Sequence, residues 1–240
     1  MLDRPGLYVT DSAEVKRIAD GGIKECFLCC REVLLMSRFL AEWQNVEAHK
    51  EYLKSFLVAA GDLDRLARFG VWCCVGLTHD ESVFVFLAKH VEAESAEVRQ
   101  RVSDYLDLVW NGSENSNLLS DIQQVDWDPD AVEMDGDAAA QGATDLLAGL
   151  SFLGKWCAEH NVERLVACAE VLINRIDYLE SFELIGRHAA NSVESEMNSQ
   201  KDFVQELVAG SISDQDKRKY HEWLFNRVDR RQIRQRTLWI

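Results

Sequence analysis

Proline occurs only twice, at Pro5 and Pro129, so residues 6–128 and 130–240 run without the residue that most strongly breaks helices. Across both stretches apolar residues recur at three- and four-residue spacing, the repeat of one helix face. In residues 23–44, Ile23, Cys26, Phe27, Cys30, Val33, Leu34, Ser37 and Leu40 share one side. Lys24, Glu25, Arg31, Glu32, Arg38 and Glu42 take the other. The same period predicts helices near 46–59, 62–77, 80–93, 96–110, 115–124, 138–159, 162–184, 192–208 and 214–234. Cap and stop residues punctuate them: Thr10, Asp11 or Ser12 before a first helix, then Gly61, the Thr78-His79-Asp80 group and Asn161. No segment alternates with period two over a strand length; "SVFVFLAKHV" lies inside a longer helical pattern. The expected fold is all-α, a multi-helix bundle of about nine or ten helices. It divides into an N-terminal helical extension (1–65), a helical core (66–210) and a basic C-terminal helix (211–240) docked on that core.

The cysteines look at first like chemistry. Three of seven fall in "IKECFLCCREV", at Cys26, Cys29 and Cys30. A structural zinc site needs about four ligands, usually seen as two close pairs, and the second pair is missing. Cys73 and Cys74 are adjacent, so on a helix they point about 100° apart. Cys157 and Cys168 stand alone. A redox pair normally opens a helix after a strand, whereas these lie inside helical patterns. Core packing by reduced thiols is the expectation, and with it neither a metal nor a cofactor. An odd cysteine count without framework spacing points to a cytoplasmic protein. The N-terminal residues lack a basic stretch followed by an apolar one, so no signal peptide is expected, and no apolar run approaches the ~18 residues of a membrane span.

The formal net charge is −15. A surface this acidic repels phosphates and anionic lipid, which argues against nucleic acid and membrane as partners; it commonly serves plain solubility, and more rarely a basic protein partner. The charge is unevenly spread. No Lys or Arg lies between Arg101 and Lys155, and that window holds Asp121, Asp126, Asp128, Asp130, Glu133, Asp135 and Asp137. Asp126, Asp128 and Asp130 match places 1, 3 and 5 of a calcium loop, with Asp137 at place 12. The match fails at place 6, which is Ala131 instead of Gly, at place 4, which is Pro129, and at place 12, which is not Glu. Trp127 adds an aromatic that can anchor an interface. The candidate partner-binding residues are therefore Asp126, Trp127, Asp128, Asp130, Glu133, Asp135 and Asp137. Residues 214–240 reverse the sign with eight Lys or Arg against four acids, and Tyr220, Trp223, Leu224, Val228 and Ile233 form an apolar stripe that predicts docking on the body.

Other constellations are incomplete. Glu94 and Glu97 form one of the two carboxylate pairs with which all-helical hydrolases hold magnesium, without a second pair at a suitable distance. His49, His79, His90, His160, His188 and His221 show no ligand spacing and read as surface or cap residues. No phosphate-binding glycine loop or nucleophile elbow occurs.

"LARFGVWCCVGLTHDESVFVFLAKH", "RQRVSDYLDLVWN", the acidic stretch and "DLLAGLSFL" together resemble the all-helical bacterial family of unknown function typified by YjaG. "VESEMNSQKDFVQEL" adds that family's Glu-x-x-x-Gln pattern through Glu196 and Gln200. The resemblance covers about residues 66–208. It implies an all-helical fold and supplies no catalytic residue. The functional expectation is a non-catalytic cytoplasmic protein that binds a basic protein partner, in the manner of an immunity or antitoxin-like protein. The alternative is a metal-dependent helical hydrolase using acidic residues such as Glu94 and Glu97.

Overall fold

Eleven of the fifteen residues of one helix, Leu63–Leu77, are buried, and the four longer helices that follow it in the chain pack against it. The computed structural model describes residues 45–113, 118–123, 138–181, 184, 192–213, 216, 217 and 219. The chain divides into two compact units, Met1–Ala48 and His49–Ile240. Nearly all described residues belong to the second, called the body here. In chain order the described helices are α1 (45–60), α2 (Leu63–Leu77), α3 (Glu81–His90), α4 (Ser95–Trp110), α5 (Ser120–Gln123), α6 (Ala138–Glu159), α7 (Val162–Ser181) and α8 (Ser192–Ala209). The described part is all-helical, with no strand among the described residues. The helices expected over 1–44 and 214–234 lie outside it, apart from residues 216, 217 and 219.

Local signals account for the helix starts. Asp62 accepts hydrogen bonds from the Asp64 and Arg65 amides, Asp80 from the Ser82 amide at 2.9 Å, and Asn161 from the Glu163 amide at 3.0 Å. Each satisfies an amide that the first helical turn leaves without a partner. The turn between α1 and α2 passes through Gly61 at φ +65, a left-handed conformation that a residue without Cβ adopts cheaply. Helix α3 is shorter than its sequence pattern. It stops at His90 because Glu92 turns left-handed at φ 52, where the regular helix cannot continue.

Helices α6 and α7 form a hairpin turning at His160 and Asn161, and α2 packs against both. Helix α3 lies on α4 and α6, α4 also meets α2, and α8 lies on α7 and α2. Close approach depends on missing side chains. A Cβ at Gly149 would stand 2.7 Å from Leu77 Cδ1, and one at Gly70 would stand 2.8 Å from both Leu153 Cδ1 and Leu165 Cδ2. Gly149→Ala should therefore cost about 1–2 kcal/mol through overpacking, measured by denaturant unfolding. Trp72, Phe69 and Phe203 fill the α2–α8 interface, with the Trp72 and Phe203 rings stacked at 4.7 Å. Helix α1 adds Leu53 and Leu57, both fully buried, to the same core. Outside that core, Lys50 pairs with Glu170 and Lys54 with Glu163, tying α1 to α7.

Candidate functional site

The acidic residues named from sequence, Asp126, Trp127, Asp128, Asp130, Glu133, Asp135 and Asp137, lie outside the described residues. Their flanks are described. On the N-terminal side Leu119 and Ile122 are buried, and Arg101 donates to the Leu118 carbonyl at 2.9 Å and to Asp121 Oδ2 at 2.8 Å. That bond holds the Asp121 carboxyl below its usual range and raises Arg101. On the other side, Ala138, Ala139 and Ala140 open α6 as buried residues. The stretch 124–137 thus runs between two ends built into the body. Two acids of the base-free window acquire cations from afar: Asp121 from Arg101 and Asp107 from Lys217. Sequence distance to the nearest base therefore overstates how bare this window is.

The start of the basic C-terminal segment meets the body. Trp72 Nε1 donates to the Lys219 carbonyl at 2.8 Å, Lys219 pairs with Glu206 at 2.6 Å, and Lys217 lies 5.2 Å from the Trp110 ring centre. The apolar residues expected to dock, Tyr220 through Ile233, lie outside the described residues.

The body buries two polar clusters that sequence spacing does not announce. In the first, the Arg175 guanidinium is 1 % exposed, with Asp80 Oδ2 at 3.6 Å and Asp145 Oδ2 at 4.0 Å. Three elements supply it: Asp80 is the cap residue of α3, Asp145 lies on α6 and Arg175 on α7. Gly142, one turn before Asp145, makes the room, since a Cβ there would come within 2.7 Å of Arg175 Nη2. Gln141 Nε2 donates to Asp145 Oδ1 at 3.0 Å, and the Tyr178 ring centre lies 5.5 Å from the guanidinium carbon. Burial raises the Asp145 carboxyl to about 6, against the pull of Arg175 and Gln141. Burial also lowers Arg175, while Asp145 and Asp80 oppose it.

In the second cluster, His49 on α1 donates from Nε2 to Gln200 Oε1 on α8 at 2.7 Å. Gln200 Nε2 in turn donates to Glu196 Oε1 at 3.2 Å and to the Ala169 carbonyl of α7 at 3.3 Å. The amide oxygen of Gln200 can only accept, so the proton of a neutral His49 sits on Nε2. Glu196 and Gln200 are fully buried and His49 nearly so. Burial pushes the Glu196 carboxyl up to about 8, so it is neutral at physiological pH. Burial also lowers His49, with Lys201 adding to the effect and the Gln200 bond opposing it.

The expectation that the histidines are surface or cap residues is therefore corrected at His49, whereas His79, though buried, caps the last turn of α2. His49 and His79 are each 2 % exposed. Both rings have polar partners inside the body, Gln200 for His49 and the Gly76 carbonyl at 2.8 Å for His79, which is what permits their burial. His90 and His160 are exposed, as expected.

Cys73, Cys74 and Cys168 are fully buried in the core, Cys157 partly so, and all four are free thiols. Cys168 donates to the Gly149 carbonyl at 3.5 Å. Burial pushes the Cys73 thiol well up, and hydrogen bonding with Cys74 together with burial does the same for Cys168, which suits packing over reactivity. Cys26, Cys29 and Cys30 lie outside the described residues. Glu94 and Glu97 are both exposed at the start of α4, Glu94 as a cap residue without a side-chain cap bond. Among the described residues, no three His, Cys, Asp or Glu side chains come together in a way that could hold a metal ion. No single described helix is long and apolar enough to cross a membrane.

No protein-family model matches the chain, and neither a curated protein nor a solved structure matches it.

Proposed function

We propose that this chain is a non-catalytic helical protein that binds a basic protein partner through the acidic stretch around residues 126–137. An immunity or antitoxin-like protein that covers a basic toxin is the concrete form, acting in the cytoplasm, where its thiols stay reduced. The observation that carries the reading is the anchoring of that stretch. Arg101 holds Asp121 and Leu118 at one end, and buried alanines open α6 at the other. Fixed ends reduce the ordering cost of binding. The excess of acids draws a cationic partner from a distance. The buried ionisable groups of the body support the same reading, because Arg175, Asp80 and Asp145 join helices inside the fold, Glu196 is fully buried beside Gln200, and none of the four lines an open face.

The test is capture on the immobilised full-length chain, with bound proteins identified and their dissociation timed. A partner with a strongly basic surface is expected, and Trp127→Ala should speed its dissociation by about tenfold or more, as loss of an aromatic anchor does. Unchanged dissociation removes Trp127 from the contact. The hydrolase alternative is separated by melting temperature with Mg²⁺ or Mn²⁺. No shift is expected, whereas a rise of several degrees that Glu97→Gln abolishes would favour a metal-dependent enzyme.

A further inference from the structure

We propose that α2, α4 and α8 form a seat for a turn carrying two lysines, and that the chain's own Lys217 and Lys219 occupy it as a tethered plug that a lysine-bearing segment of a basic partner displaces. Gly210, left-handed at φ +73, ends α8. Just beyond it, Arg68 of α2 donates to the Ile212 carbonyl at 3.3 Å. Asp216 ties back to Ser213, accepting from its amide and its hydroxyl at 2.7 Å each, and the Lys219 amide donates to the Asp216 carbonyl at 3.0 Å. From this turn the two lysines reach different helices. Lys217 pairs with Asp107 of α4 and lies over the Trp110 ring, 5.2 Å from its centre. Lys219 pairs with Glu206 of α8 at 2.6 Å, and its carbonyl accepts from Trp72 Nε1 of α2 at 2.8 Å.

The division of labour says what the seat recognises. Helices α4 and α8 supply one carboxylate for each ammonium group, and α4 adds an aromatic face that a cation favours. Helix α2 supplies donors to backbone carbonyls, which every residue has. The side chains that this seat selects are therefore two cations two positions apart, and another basic chain can present the same pair.

The plug is held lightly. The Asp107 side chain is 55 % exposed and that of Lys219 38 %, and ion pairs so open to water contribute little. The tether is what keeps it seated. The short run from Gly210 to Lys217 gives a local concentration on the order of millimolar. Stray lysines at lower concentration do not overcome that, whereas a folded partner with a broad basic surface adds contacts of its own and does. The proposal rests on the basic partner inferred above, but the seat can be tested without that partner.

The probe is a fluorescein-labelled synthetic peptide of residues 211–220, titrated against the full-length chain at about 150 mM salt and followed by anisotropy. The parent chain should bind it weakly, because the tether competes. Lys217→Glu combined with Lys219→Glu in the chain should clear the seat and tighten peptide binding by about tenfold or more, and the corresponding pair of alanine changes should act in the same direction. Adding Glu206→Lys or Asp107→Lys should reverse the gain. The cleared chain should melt within a few degrees of the parent. Equal peptide affinity for parent and cleared chains, a gain that survives Glu206→Lys and Asp107→Lys, or loss of the fold on clearing would overturn the plug. The two readings fail separately: capture of no basic protein defeats the partner whatever the peptide does, and a flat peptide comparison defeats the plug whatever is captured.

Discussion

Replacing Arg175 by methionine should lower the unfolding free energy by about 3–5 kcal/mol at pH 7.5, the usual consequence of stripping the partner from buried charges. Methionine fills much of the same volume, so the loss reports charge more than cavity. Asp80 and Asp145, at 3.6 and 4.0 Å, would be left in the interior without their cation. The deficit should shrink on acidification. Without Arg175 the only named attraction holding the Asp145 carboxyl down, besides the Gln141 bond, is gone, and a proton can neutralise it from above pH 6. Adding Asp145→Asn to the methionine variant should recover part of the loss at pH 7.5 for the same reason. Denaturant titrations at pH 5 and 7.5 measure all of this. A variant as stable as the parent at both values would show that the triad contributes nothing to holding α3, α6 and α7 together.

The opposite sign is expected at Glu196. Burial holds its folded pKa at about 8, above the usual carboxylate value of 4.5. The stability it contributes is thus complete below about pH 4.5 and is lost as the pH rises to about 8. At pH 7 that loss amounts to roughly 3 kcal/mol, an order-of-magnitude figure from about 2.5 pH units at ~1.4 kcal/mol each. Glu196→Gln removes it and should stabilise the protein by about that amount, with little effect at pH 4.5. Thermal unfolding at pH 4.5, 6 and 8 separates the two. A variant that is less stable than the parent at pH 8 would mean that an ionised Glu196 finds a cationic partner in the fold.

The pattern of three and four placed the longer described helices well, because each carries a wide apolar stripe. Asp62, Asp80 and Asn161 cap helices where the sequence marks them. The interior polar groups were harder to see. Asp80, Asp145 and Arg175 come together from three elements, and no spacing along the chain encodes that meeting. A signal did exist: Arg175 interrupts the apolar face made by Leu172, Ile173, Ile176 and Leu179, and a charge on a core face requires a buried partner. Glu196 and Gln200 sit likewise on the face that continues as Phe203, Val204 and Leu207. His49 departs from the surface reading because its partner Gln200 lies 151 positions away, which ligand spacing along the chain does not reveal. The pairing of Asp107 with Lys217 was hidden by 110 positions of separation.

The central claim is that the acidic stretch receives a basic partner, and the salt dependence of the association rate tests it most directly. With the captured partner, the rate should fall steeply as ionic strength rises from about 50 to 300 mM, because the charges act through a screened field. Asp126→Asn, Asp128→Asn and Asp130→Asn combined should slow association at low salt and flatten that dependence, while the melting temperature stays unchanged. A triple variant that associates as fast as the parent, with the same dependence on salt, would contradict the account and move the contact away from residues 126–137.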